Sequence, residues 1–269
     1  MPKRSLRTTF VLPVLSLWRR EVVRFVRQRS RLVGALATPI VFWVLIGSGL
    51  RNSFRLTGAE ATGDSMDYLE YAFPGTMAMI VLFTAIFATI SIIEDRREGF
   101  LQAVIAAPVR RSAIVCGKVL GSATLAVVQA LLFLLLAPLT GVPLTVGSFA
   151  AVLGVLVIVA IGLSALGFLI AWPMDSTQGF HAIMNLVLLP MWMLSGALFP
   201  ASGASNWLAW IMAINPLTYG VAALRQAVYL DAGGGAGAAL PSFQMALTVS
   251  VGFAVLMVAL SAKVVSSKG

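Results

Sequence analysis

Cysteine and histidine each occur only once in the sequence, as Cys116 and His181. One thiol excludes a disulfide framework within the chain, and one thiol beside one imidazole leaves no ligand cluster of the zinc type. Charge is scarce too: 11% of residues are Asp, Glu, Lys or Arg, against about 25% in soluble domains. No cleavable leader is expected, because the residues up to Arg31 hold nine Lys or Arg and no clean apolar core ending in small residues. A phosphate loop is also missing. The nearest stretch, "CGKVLGS" at Cys116 to Ser122, has Val119 where such a loop needs Ser or Thr, and Ser112 where it needs its first glycine. The chain is therefore not expected to hydrolyse ATP alone, and Lys118 reads as a basic anchor at the start of an apolar run.

Apolar surface is what the chain has in abundance. Hydrophobic residues make up 59% of it and mean hydropathy is +0.94, where about 45–50% apolar is ordinary. The fold class expected is an all-α membrane protein. Crossing the hydrocarbon takes about 20 apolar residues, and six runs qualify: 32–50 (with Pro39 inside it), 72–93, 112–139, 149–171, 180–199 and 243–262. Between the last two, "NWLAWIMAIN" at Asn206 to Asn215 is apolar but too short to span, and predicts a re-entrant or interfacial piece. Residues 1–269 are read as one transmembrane domain.

The net charge of +9 and a pI near 10.6 do not point to nucleic acid, because the basic residues sit at the ends of apolar runs. Six spans place both termini on one side. Lys3, Arg4, Arg7, Arg19, Arg20, Arg24, Arg27, Arg29, Arg31, Arg96, Arg97, Arg110, Arg111, Lys118, Lys263 and Lys268 fall on that side; only Arg51, Arg55 and Arg225 fall on the other, beside Glu60, Asp64, Asp67, Glu70 and Asp231. The positive-inside bias makes the first side cytoplasmic.

Before the first span, Leu15, Trp18, Val22, Phe25 and Val26 gather on one helical face, and Arg20, Arg24, Arg27 and Arg31 on the other. This pattern suits an in-plane helix with its arginines toward anionic headgroups, either as a plain orientation signal or as an element that also touches a partner. His181 and Asp175, at the turn between the fourth and fifth runs, read as an interfacial histidine and a turn cap. An intramembrane enzyme or an ion-coupled carrier would want polar catalytic groups or carboxylates at membrane depth. Gln129, Asn185 and Ser195 are the few polar candidates, and the runs carry no acid in their middles.

The stretch "EDRREGFLQAVIAAPVRR", Glu94 to Arg111, interrupts this pattern with seven charges. Phe100, Leu101, Val104 and Ile105 recur at helical spacing, so the piece can form one short amphipathic helix with Glu94, Asp95 and Glu98 toward its start. Pro108 ends it, and Arg110 and Arg111 anchor the next run. Read alone, it is either an interfacial stop or a docking element. Later, Asn215 and Pro216 in "INPLTYGVAALRQ" form a good helix start. That leaves Arg225 an isolated cation, either snorkelling to headgroups or handling an anionic, lipid-like substrate.

The order Glu94, Arg97, Glu98, Gly99, Leu101, then "APVRR" at Ala107 to Arg111, resembles the cytoplasmic signature of ATP-binding-cassette type-2 permeases, the family of daunorubicin-type drug exporters and nodulation-factor exporters. "FPGTMAM" at Phe73 to Met79, "MWMLSGALFP" at Met191 to Pro200 and "INPLTYGVAALRQ" at Ile214 to Gln226 follow in the family's order. The chain departs from it at "GFLQ", Gly99 to Gln102, where "GTLE" is usual. The resemblance implies a permease subunit in the cell inner membrane, paired with a second permease copy. On the resemblance, ATP and Mg are expected on a separate ATPase and no cofactor on this chain. The resemblance implies further that a coupling helix formed by Glu94, Arg97, Glu98, Gly99, Phe100, Leu101, Pro108 and Arg110 presses on that ATPase, and that drug-like, lipid-linked or saccharide substrates are exported. For the substrate path we expect Thr38, Phe42, Trp43, Ser48, Met77, Met79, Asn185, Met191, Trp192 and Ser195; Met and Trp walls suit amphipathic substrates and also pack ordinary transmembrane interfaces.

Overall fold

The computed structural model of the protein describes residues 10–50, 67–142, 144–200, 204–231 and 241–267. Lys3, Arg4, Arg7, Arg51, Arg55, Glu60, Asp64 and Lys268 lie outside the described residues. Among those described, every regular element is helical.

The central element is α3 (Tyr68–Ala88), in which every residue from Tyr71 to Leu82 is buried. A helix apolar on all sides has no face to give to lipid and is enclosed by neighbours. It continues through Thr89 into α4 (Ile90–Arg97), and the two make one apolar span of 30 residues, Tyr68–Arg97, longer at both ends than the run 72–93.

α2 (Arg29–Leu50), α6 (Arg111–Leu134) and α7 (Val146–Ala171) pack around this rod, with α8 (Thr177–Trp192) beside it. α7 begins with a reciprocal cap: Ser148 N–H donates to Thr145 Oγ1 at 3.1 Å, and Thr145 N–H to Ser148 Oγ at 2.9 Å. α11 (Phe243–Ser267) lies outermost on α7 and buries only Ala246, Ser250, Ala254, Ser261 and Val265. This stripe of mostly small residues lets the two backbones approach, and Ser261 Oγ donates to the Ala165 carbonyl at 3.0 Å.

Among the described residues, five helices are long and apolar enough to cross a membrane. The apolar part of α2, Val33–Gly49, is shorter, about 25 Å at 1.5 Å per residue against about 30 Å of hydrocarbon. α9 (Asn206–Ile214) and α10 (Pro216–Val228) meet at 84° and count as a sixth candidate if taken as one broken span. Asn215 makes that corner. Its Oδ1 accepts the Leu217 N–H at 3.0 Å while its Nδ2 donates to the Met191 carbonyl at 2.6 Å.

Two of the expected runs end differently. The run 112–139 breaks into α6 and a tighter turn, Ala137–Thr140. The run 180–199 becomes α8 and a kinked turn, Met193–Ala197, with Gly196 at φ +79°.

α1 (Leu12–Arg27) lies along α6. Its docking face is not the expected apolar stripe: Leu15 and Val26 are exposed, while Leu17 and Glu21 are buried. The small residues of α6 choose the face. A Cβ on Gly117 would fall 2.7 Å from the Leu17 Cβ, and one on Gly121 would fall 2.6 Å from the Glu21 Cβ, so the two helices touch nearly backbone to backbone. Trp18 Nε1 completes the contact by donating to Thr124 Oγ1 at 3.0 Å.

Candidate functional site

Glu94 to Arg111 is not one helix. Ile90, Ile92 and Ile93 hold α4 in the core, so Glu94, Asp95, Arg96 and Arg97 form its last turn rather than the start of a new helix. Gly99 then adopts φ +78°, a conformation that costs other L-residues energy, and redirects the chain into α5 (Phe100–Ala106). Ala107 is extended ahead of Pro108, and α6 begins at Arg111. Arg111 does not point to headgroups: its Nη1 donates to the carbonyls of Val265 and Ser266, at 3.1 and 3.3 Å, closing the end of α11.

Acids at a helix C-terminus oppose the helix dipole, and this turn compensates with cations from other elements. Asp95, fully buried, accepts from Arg20 Nη1 at 2.6 Å and Nη2 at 2.7 Å, and from Arg24 Nη1 at 3.0 Å. It also accepts from Lys118 Nζ, which bonds Glu21 as well and reaches Ser91 Oγ at 3.2 Å. Arg24 pairs further with Glu94 at 2.9 Å and Glu98 at 3.4 Å. Arg20 lies 3.7 Å above the Phe100 ring. Hydrogen bonding to Asp95, outweighing partial burial, raises the Arg20 guanidinium above its ordinary range. On the other side of the same turn, Arg96 donates to the carbonyls of Trp172 and Met174 and to Asp175 Oδ1, and Arg97 Nε donates to the Asp175 carbonyl at 2.9 Å.

One turn of α4 thus grips α1, α6 and the α7–α8 connection. Beyond it, α5 buries Leu101 and exposes Gln102, Ala103, Ile105 and Ala106. An open apolar groove of about 430 Å³ runs between α5 and the first turns of α1, lined by Leu12, Pro13, Ser16, Leu17, Phe100, Ala103, Val104, Ala107 and Val109.

At the opposite end of the α3–α4 rod lies a second polar cluster. Tyr71 Oη donates to the Gly196 carbonyl at 3.1 Å, and Tyr68 Oη to that of Leu198 at 3.1 Å. Arg225 Nη2 donates to the carbonyls of Tyr71 and Gly196, at 3.2 and 3.1 Å, with its guanidinium 3.9 Å above the Tyr71 ring.

Residues 13–229 match the ABC-2 type transporter family. The chain belongs to that family. Among curated relatives, it is 24% identical over 219 residues to the ycf38 transport permease of Cyanophora paradoxa, covering 80% of this chain and 74% of the relative. It is 25% identical over 214 residues to nodulation protein J of Rhizobium leguminosarum bv. viciae, covering 78% and 80%. It is also 24% identical over 238 residues to the daunorubicin resistance ABC transporter permease protein DrrB1 of Streptomyces coeruleorubidus, covering 86% and 80%. The ABC-2 match opens in the first turn of α1 and closes just after α10, so both polar clusters fall within it.

The ABC-2 permease holds the residues expected to couple it in three situations. Glu98, Gly99, Pro108 and Arg110 are exposed, as is Arg97 despite its bond to Asp175. Glu94 and Phe100 are partly covered, in contact with Arg24 and Arg20. Leu101 is 3% exposed and anchors α5 from within instead of facing outward.

The residues expected on a path also divide. Trp43, Met77, Met79, Trp192 and Ser195 are buried, and internal contacts occupy several of them. Trp43 Nε1 donates to the Leu69 carbonyl at 3.0 Å, Trp192 Nε1 to that of Gly75 at 2.8 Å, and Ser195 Oγ to that of Trp192 at 2.6 Å. Phe42 packs edge-on against Trp192 at 5.3 Å, and Met191 is half-buried. Thr38, Ser48 and Asn185 are exposed.

Three expectations are corrected. Lys118 is 2% exposed and internally paired, not a surface anchor. Arg225 is likewise 2% exposed and turned inward, because Gly196 sits where its helix kinks and presents a carbonyl to it; it does not snorkel. Arg20 and Arg24 face acids of α4 rather than headgroups. The sequence reading passed over Glu21 altogether, although it is the one acid among nine basic residues in the first 31, a signal that it has an internal partner.

Proposed function

We propose that this ABC-2 chain is the membrane subunit of an ATP-driven exporter whose ATPase is a separate chain, and that α5 is the helix pressing on that ATPase. The observation that carries this reading is the pairing of an exposed, short α5 with a charged turn tied to three other parts of the chain. A helix that only stops a span has no need of such a tie. On this reading both termini and α5 face the cytoplasm across the cell inner membrane, in line with the basic residues clustered at that end. ATP and Mg are held by the partner, and a second permease copy completes the path. The name of the daunorubicin resistance relative supports a drug-like substrate, and the reading extends to export of amphipathic drug-like, lipid-linked or saccharide molecules. The exposed polar residues Asn185, Thr38 and Ser48 suit a path lined jointly by two copies better than Trp43, Met77 or Trp192, which are committed inside one.

Co-purification from membranes tests the docking. Replacing Ala103 and Ala106 together by Glu is expected to abolish recovery of the ATPase with the permease while leaving the permease's melting temperature unchanged, since both side chains are exposed. Intact recovery of a stimulated ATPase from that variant would refute the role of α5.

A further inference from the structure

α5 is seven residues long, with Leu101 buried in the core and Phe100 and Val104 packed partly against it. Gln102 ties it back by donating to the Arg96 carbonyl at 3.0 Å, and Arg20 covers Phe100. A push on so small an element reaches the spans by two routes, back through the last turn of α4 and forward through the short link 107–110 into α6. What that turn moves depends on which helices are locked to it.

Lys118 is the residue that brings α6 into the lock. Arg20 and Arg24 already give Asp95 three N–H bonds, so neutralising that carboxylate does not require a lysine from α6. Lys118 nevertheless withdraws its ammonium from solvent, where a lysine serving only as an anchor keeps its head, and divides it between Glu21 of α1 and Asp95 of α4. It sits between Gly117 and Gly121, whose missing side chains bring α1 close enough for Glu21 to reach it. An apolar residue of similar volume commonly holds such a site at least as well as a buried ion pair, and an ionisable group inside a membrane span is by default a functional one.

We infer that Lys118 is a positioning residue of the coupling step: it locks α6 to α1 and α4, so that a displacement received at α5 moves the three helices as one body. This rests on the reading of α5 as the ATPase-facing helix.

The full chain with its co-purified ATPase, reconstituted in lipid nanodiscs, provides the test. Spin labels are placed through Ile105→Cys, exposed on α5 away from the Ala103 and Ala106 face, and Leu132→Cys on α6, in a Cys116→Ser background, and distances are read without nucleotide and after trapping with ATP and vanadate. With Lys118 present, one α5–α6 distance is expected to persist in both states. In Lys118→Met it should split on trapping, with the ratio of locked to displaced populations falling about tenfold. The double variant Glu21→Leu/Lys118→Met removes one charge of each sign, preserving the fold, and is expected to split likewise; a loss of stability alone would not make the distance depend on nucleotide. If both variants keep the single distance of the parent in both states, the inference is wrong while the role of α5 stands. If the parent chain captures no ATPase, the reading of α5 falls and the inference with it.

Discussion

The Tyr229 hydroxyl donates to the carbonyl oxygen of Glu70 at 2.8 Å, and this is the acceptor that Pro74, four residues further along α3, leaves without its helical N–H. Tyrosine at the end of α10 repairs a proline break in the central helix. Tyr229→Phe is expected to destabilise the protein by about 1–3 kcal/mol, the cost of leaving a buried acceptor unmade. In a Pro74→Ala background the helix supplies its own donor, and the same change should cost well under half as much. Thermal unfolding in detergent, run as a double-mutant cycle, checks this; equal costs in both backgrounds would disprove the repair.

Arg225 is held by backbone carbonyls and an aromatic face, with no carboxylate partner among the described residues. Arg225→Met is expected to lose about 2–4 kcal/mol, from two charge-assisted bonds and the ring contact. Arg225→Lys should recover only part, because a compact ammonium does not stack flat on the Tyr71 ring while its N–H groups reach the carbonyls. Denaturation midpoints of the three proteins decide; a Lys variant as stable as the parent would show that charge alone matters.

The seat of α1 on α6 depends on missing side chains at Gly117 and Gly121. Gly121→Leu should lift α1 away, since even a Cβ there lies inside contact distance of Glu21. Amide hydrogen exchange across Leu12–Arg27 is expected to speed up about tenfold or more as local opening becomes easier, with α3 unaffected. Unchanged protection of α1 would mean that the ion pairs alone hold it.

Gly99 lies at φ +78° with nothing within 4 Å of an added Cβ, so backbone strain is the whole cost of substitution. Gly99→Ala should destabilise by about 1–2 kcal/mol and Gly99→Asn by less, because asparagine enters the left-handed region more readily. Melting temperatures rank the three residues; Ala and Asn equal to glycine would count against strain at this turn.

The spans were legible because long apolar runs have few alternatives, and the α9–α10 corner because Asn215 and Pro216 are strong local signals for a helix start. The ion network was not. Lys118 stands at the edge of an apolar run, where a lysine ordinarily anchors, and its partner Glu21 lies 97 positions earlier, a separation no periodicity reports. Arg225 was misplaced for a similar reason: its acceptors exist only because the backbone kinks at Gly196. The split of Glu94 to Arg111 was hidden because Gly99 sits inside a pattern of apolar spacing that also fits a single helix.

The continuous span from Tyr68 to Arg97 measures about 45 Å at the helical rise, and the two polar clusters sit at its two ends. Tyr68, Glu70 and Tyr71 meet Leu198, Tyr229 and Arg225 at one; Asp95 and Arg96 meet α1, α6 and the α7–α8 connection at the other. A single run of backbone therefore joins the two clusters, so that a tilt imposed at the charged end would bear on the tyrosine and arginine bonds at the other.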